Sequence, residues 1–165
     1  MTDPVTDNSR APPSWRVAPV SPRSQWTGYL GVLPFAAALL GVAAAPSLEL
    51  REFALRLGIA YGAAILTFVG AVHFGLVIAR RLPGTFAVTL AATLPSLAGV
   101  AAILLGGQRG IALLTVSFGL FWLYESRRCG DLLPPAYLNL RRTLSLAVCA
   151  LLALTMFAAD SSGLR

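Results

Sequence analysis

From Leu57 to Ala79 the chain runs for twenty-three residues without an Asp, Glu, Lys or Arg. Coiled as one helix, that stretch measures ~35 Å at 1.5 Å per residue. The hydrocarbon core of a bilayer is about 30 Å thick. A water-soluble protein could bury such a helix only beneath a charged outer shell, and this chain cannot supply one. Its 165 residues are 56% apolar and 12% charged, against about 25% charged in ordinary domains. The solvent that accepts such a surface is lipid, so the expected fold is an all-α integral membrane bundle.

Four further apolar runs accompany it: Gly28–Ala45 with Pro34 inside, Thr85–Leu105 with Pro95 inside, Gly110–Tyr124 and Thr143–Ala159. Together they predict about five transmembrane helices. The last two are shorter than the roughly 20 residues a span needs. Arginines at their ends, Arg127, Arg128 and Arg142, can snorkel to the surface and extend them. The alternative is four spans with Gly110–Tyr124 as a re-entrant piece. Residues 1–25 are polar and proline-containing and read as a disordered tail, residues 26–159 as the transmembrane domain, and 160–165 as a short C-terminal tail. Pro83-Gly84 and the Gly106–Gly110 stretch punctuate short turns. The one long internal loop is expected between Glu125 and Arg142.

All thirteen cations are arginines, and the net charge is +6. They gather at the run ends, within reach of lipid phosphates and anionic lipid headgroups. No soluble basic face is left for nucleic acid, which is excluded as a partner. With the N-terminus inside, nine arginines (10, 16, 23, 80, 81, 127, 128, 141, 142) fall on the cytoplasmic side and four (51, 56, 109, 165) opposite. The positive-inside rule then predicts a multi-pass protein of the bacterial inner membrane, N-terminus cytoplasmic and, with five spans, C-terminus periplasmic. Cys129, in a polar loop, and Cys149, in an apolar run, have no pairing or metal-ligand spacing.

The second run is the most informative. Ser47 is placed to cap a helix with Glu49 in its first turn, and Glu52 and Arg56 form an i,i+4 pair. The segment Ser47–Arg56 therefore reads as an amphipathic start to the run. On a helical wheel Gly62 lies about 20° from His73, with Gly58, Leu66, Val69 and Gly70 nearby. A second stripe, Ala63, Thr67, Ala71 and Gly75, repeats every four residues on nearly the opposite side. Small residues so spaced let helix backbones approach closely. The prediction is helix packing through Gly58, Gly62, Ala63, Thr67, Gly70, Ala71 and Gly75, with this helix at the centre of the bundle.

Tyr61, His73 and Glu125 form the candidate intramembrane polar site. His73 is the sole histidine, and an ionisable group inside a span is by default a functional hypothesis. The bland reading is a neutral imidazole bonded to a neighbouring hydroxyl or carbonyl. Glu125, at the end of the fourth run on the same side as His73, has Arg127 and Arg128 as its ordinary partners. One histidine cannot fill two haem positions, and neither Met1 nor Met156 is an obvious second ligand, so no cofactor or metal is expected. No hydrolase motif, phosphate loop or pair of intramembrane carboxylates is present, so no catalytic residues and no enzymatic activity are expected.

The stretch Tyr61-Gly62-Ala63-Ala64-Ile65-Leu66-Thr67-Phe68-Val69-Gly70-Ala71-Val72-His73-Phe74-Gly75 resembles the signature of the domain-of-unknown-function 3429 family, which includes the eukaryotic transmembrane protein 69. Gly28-Tyr29-Leu30-Gly31 with Leu33-Pro34-Phe35 is similar to that family's opening helix. Pro135-Ala136-Tyr137-Leu138-Asn139-Leu140-Arg141 is similar to its loop before the last helix. The likeness covers roughly residues 26–159. It departs at Thr67, Ala71 and Phe74, where Phe74 stands in place of a tryptophan and removes an indole donor. The resemblance implies a small multi-helix membrane protein and supplies no catalytic residues. Two functions are then in competition. One is an accessory, assembly or interaction subunit that packs against a membrane-protein partner or a second copy. The other is a small transporter or channel for protons or a small solute, built on His73.

Overall fold

The computed structural model describes residues 22–80, 82–128 and 135–161. Among them the chain is helical: α1 (Pro22–Leu30), α2 (Leu33–Ala44), α3 (Leu48–Ile78), α4 (Phe86–Leu105), α5 (Gly107–Arg128) and α6 (Pro135–Ser161). Four stretches are long and apolar enough to cross a membrane: Gln25–Ala44, Leu48–Ile78, Phe86–Leu105 and Pro135–Ser161. Large apolar side chains such as Leu40, Phe68, Leu104 and Phe157 stand exposed around the outside. An all-α bundle with that exterior is a membrane protein.

The helix ends follow local chemistry. Pro34 sits in the first turn of α2, where its missing N–H leaves no bond unmade. It opens a helix instead of interrupting the first run, and Gly31-Val32 form the turn that separates α1 from α2. The Ser47 side chain accepts from the Leu50 N–H at 3.3 Å, and Glu52 pairs with Arg56 at 3.0 Å. The amphipathic start and the second apolar run are thus one unbroken helix of 31 residues. α4 continues through Pro95. At the α4–α5 junction Gly106 and Gly107 have φ of 60° and 50°, a left-handed turn that a side chain would strain.

Three expected boundaries move. α1 begins at Pro22, so residues 22–25, read as tail, are helical; residues 1–21 lie outside the described residues, as does Cys129. α6 begins at Pro135, which turns half of the expected Glu125–Arg142 loop into helix. α5 is one continuous helix of 22 residues. At its start Gln108 bonds Asp160 near the end of α6 at 3.1 Å, and at its finish Glu125 meets Arg141 near the start of α6. It therefore runs the length of the bundle as one helix, antiparallel to α6.

The helices close a ring, α2 to α3 to α4 to α5 to α6 and back to α2, with α3 also reaching α5 across it. Glycines set these distances. A Cβ on Gly58 would lie 2.9 Å from the Ala38 Cβ, and one on Gly62 2.9 Å from Leu114 Cδ1. One on Gly70 would lie 2.5 Å from the Ala92 carbonyl oxygen, beside the Pro95 ring at 3.3 Å. The first stripe of α3 is therefore used up in contacts with α2, α4 and α5. The second stripe behaves differently. Ala63 is buried against Gly99, but Thr67, Ala71 and Gly75 are exposed and nothing lies within 4 Å of a Gly75 Cβ. Among the described residues those three are not packing residues: the ring closes on one side of α3 and leaves the other open.

Candidate functional site

The short connections bring the end of α3, the end of α5 and the start of α6 to one end of the bundle, the end where Arg80, Arg127 and Arg128 lie. Three polar side chains meet there, one from each helix. His73 and Glu125 are each 1% exposed. The imidazole Nε2 is 3.6 Å from Glu125 Oε1, a charge–dipole contact too long for a hydrogen bond. Nδ1 lies 3.4 Å from the Val69 carbonyl, and the ring stands edge-on to Phe121 at 4.9 Å between centroids. With Nδ1 donating to Val69, Nε2 faces a carboxylate oxygen. The contact is attractive only when a proton sits on Nε2 or on Glu125.

α6 closes the carboxylate. Tyr137 donates its hydroxyl to Oε1 at 3.1 Å, and Arg141 donates Nε to Oε2 at 3.2 Å. Tyr137 and Arg141 are four residues apart and share a helix face. Arg127 and Arg128, the partners expected from sequence proximity, are exposed. They follow Glu125 within a turn where α5 is exposed, whereas Arg141 comes from the helix packed on the face that Glu125 occupies. Next along the α6 face is Ser145, 3% exposed, whose hydroxyl has no partner.

Tyr61 is not part of this cluster. It lies twelve residues before His73 on α3, about 18 Å along the axis, and donates its hydroxyl to the Gly31 carbonyl at 3.0 Å. Its ring packs edge-on to Phe35 at 5.1 Å. Tyr61 is thus a tie between α3 and the α1–α2 turn. His73 and Glu125 are brought together; the residues sequence reasoning missed are Tyr137, Arg141 and Ser145. Their spacing of four was a readable signal, obscured because polar residues after Pro134-Pro135 looked like loop. Among the described residues no group of three or more His, Cys, Asp or Glu could hold a metal ion. Cys149 Sγ lies 3.7 Å from the Thr115 carbonyl.

Beside the cluster a lateral groove of about 520 Å³ opens between α1–α2, α3 and α6, with Thr27, Tyr137 and Arg141 at one end and Phe35, Ile65 and Val148 at the other. The bundle and its buried His–Glu–Tyr–Arg cluster define a small all-α integral membrane protein with one ionisable centre near one end of its helices. The family described as a protein of unknown function, the domain-of-unknown-function 3429 family, matches residues 20–157, and the chain belongs to it. Neither a curated protein nor a solved structure matches the chain.

Proposed function

We propose that the protein is a non-catalytic membrane subunit that acts by packing against another membrane protein or a second copy of itself. The observation that carries this reading is the two-sidedness of α3. Its glycine face is filled from within the chain, while Thr67, Ala71 and Gly75 stand exposed among the described residues. A second helix backbone can approach closely along such a stripe. The polar cluster supports the same reading, because both Glu125 oxygens are held by α6, so the carboxylate joins helices and does not face a substrate. The basic end of the bundle faces the cytoplasm of a bacterial cell in this reading. α5, whose polar ends keep it from standing with the four clearly apolar stretches, completes a fifth crossing and leaves the C-terminus outside. Purification in mild detergent tests the reading: a stoichiometric partner or a homo-oligomer is expected, and Ala71→Leu should disperse it. A monodisperse monomer from native membranes contradicts it.

One observation favours a second reading. His73 Nε2 has no hydrogen-bond partner although it lies 3.6 Å from a carboxylate oxygen, a geometry suited to passing a proton between two buried groups. Reconstituted protein would then support a proton or solute flux that His73→Ala abolishes, and a flux indifferent to that substitution removes the idea.

A further inference from the structure

The groove beside α6 has the polarity of a membrane lipid. Arg141 and Tyr137 line it at the basic end of the bundle, and its walls become apolar toward Phe35 and Val148. Arg141 spends one of its five N–H donors on Glu125 and makes no other bond among the described residues. Glu125 holds Nε, so the guanidinium is fixed with its terminal nitrogens unengaged. One turn deeper on the same face, about 6 Å along the axis, Ser145 lines the groove with a hydroxyl that is 97% buried and unpartnered. An unmet hydroxyl in hydrocarbon is costly, and an arginine there is tolerated best when its remaining donors are met by anionic oxygen. The volume of about 520 Å³ falls within the roughly 300–1,000 Å³ of ligand sites.

We infer that this groove holds one anionic phospholipid. Its phosphate bonds the terminal nitrogens of Arg141, its ester oxygen accepts from Ser145, and one acyl chain lies between α2, α3 and α6. The occupant follows from charge and order together: the cation stands at the basic end of the groove, a hydroxyl donor one turn further in, and apolar side chains beyond.

Full-length protein reconstituted with equal phosphatidylglycerol and phosphatidylcholine, then released into mild detergent, tests this by native mass spectrometry. The wild type retains one phosphatidylglycerol per chain, favoured about tenfold over phosphatidylcholine, because both lipids offer Arg141 a phosphate but the choline cation offsets it with a like charge beside the guanidinium. Arg141→Gln keeps a lipid but loses the preference. Val72→Trp, which fills the groove from α3 and keeps Arg141 and Glu125 in the chain, loses the lipid altogether and remains informative should Arg141→Gln fail to fold. Glycerol phosphate without acyl chains does not displace the lipid. A wild type without retained lipid, an equal share of the two lipids, retention by Val72→Trp or displacement by glycerol phosphate overturns the inference.

Discussion

The two faces of α3 are made from the same small residues and do opposite things. On one, Gly58, Gly62 and Gly70 let three neighbouring helices approach until a Cβ would come within 3 Å of them, and the row ends in buried His73. On the other, Thr67, Ala71 and Gly75 stand open. Small residues therefore permit contact without specifying it. What decides is whether the chain supplies a partner at that angle, and the ring of α2 to α6 supplies partners on one side only. A polar residue at the end of a committed face becomes a buried one: His73 lies beside Glu125 there, and Tyr137 and Arg141 in turn hold both oxygens of that carboxylate.

That contrast can be broken most severely at the buried end. Glu125→Ala leaves Arg141 and His73 facing each other without the carboxylate. It should lower stability by about 3–5 kcal/mol, the cost of stripping one member from a buried ion pair, read as a fall in the detergent melting temperature. Tyr61→Phe removes one hydrogen bond to Gly31 at the other end of the committed face. A loss of about 0.6 kcal/mol is expected, typical of interhelical hydrogen bonds in lipid, with the assembly state unchanged. Ala71→Leu sharpens the contrast from the open side. Its effect on the melting temperature should stay within about ±0.5 kcal/mol, while light scattering reports a smaller particle. A large destabilisation there would mean that the open face is occupied by this chain after all.

Much of this was legible from residue order. The apolar runs imposed the bundle, Ser47 and Glu49 marked the start of α3, and the shared wheel position of Gly62, Gly70 and His73 turned the histidine inward. The rest depended on partners distant in sequence. Arg141 is sixteen residues beyond Glu125, on the next helix, so proximity favoured Arg127 and Arg128 in its place. Tyr137, Asn139 and Arg141 concealed the start of α6 because the residues that satisfy a buried acid are the same types that signal a solvated loop. Tyr61 shared a helix with His73, yet the helix rise carried it to a different layer. The open stripe could not be told from the filled one by spacing, since both repeat at helical intervals.

The same substitution at two glycines of one helix tests the central claim most directly. In Gly70→Ala the new methyl would lie 2.5 Å from the Ala92 carbonyl oxygen, whereas in Gly75→Ala it meets nothing within 4 Å. Paired thermal unfolding in detergent should show Gly70→Ala destabilised by about 1–3 kcal/mol through overpacking. Gly75→Ala should be unchanged or stabilised by up to about 1 kcal/mol, the helix preference of alanine over glycine. Equal shifts, or a larger loss at Gly75, would contradict a helix with one committed and one open face.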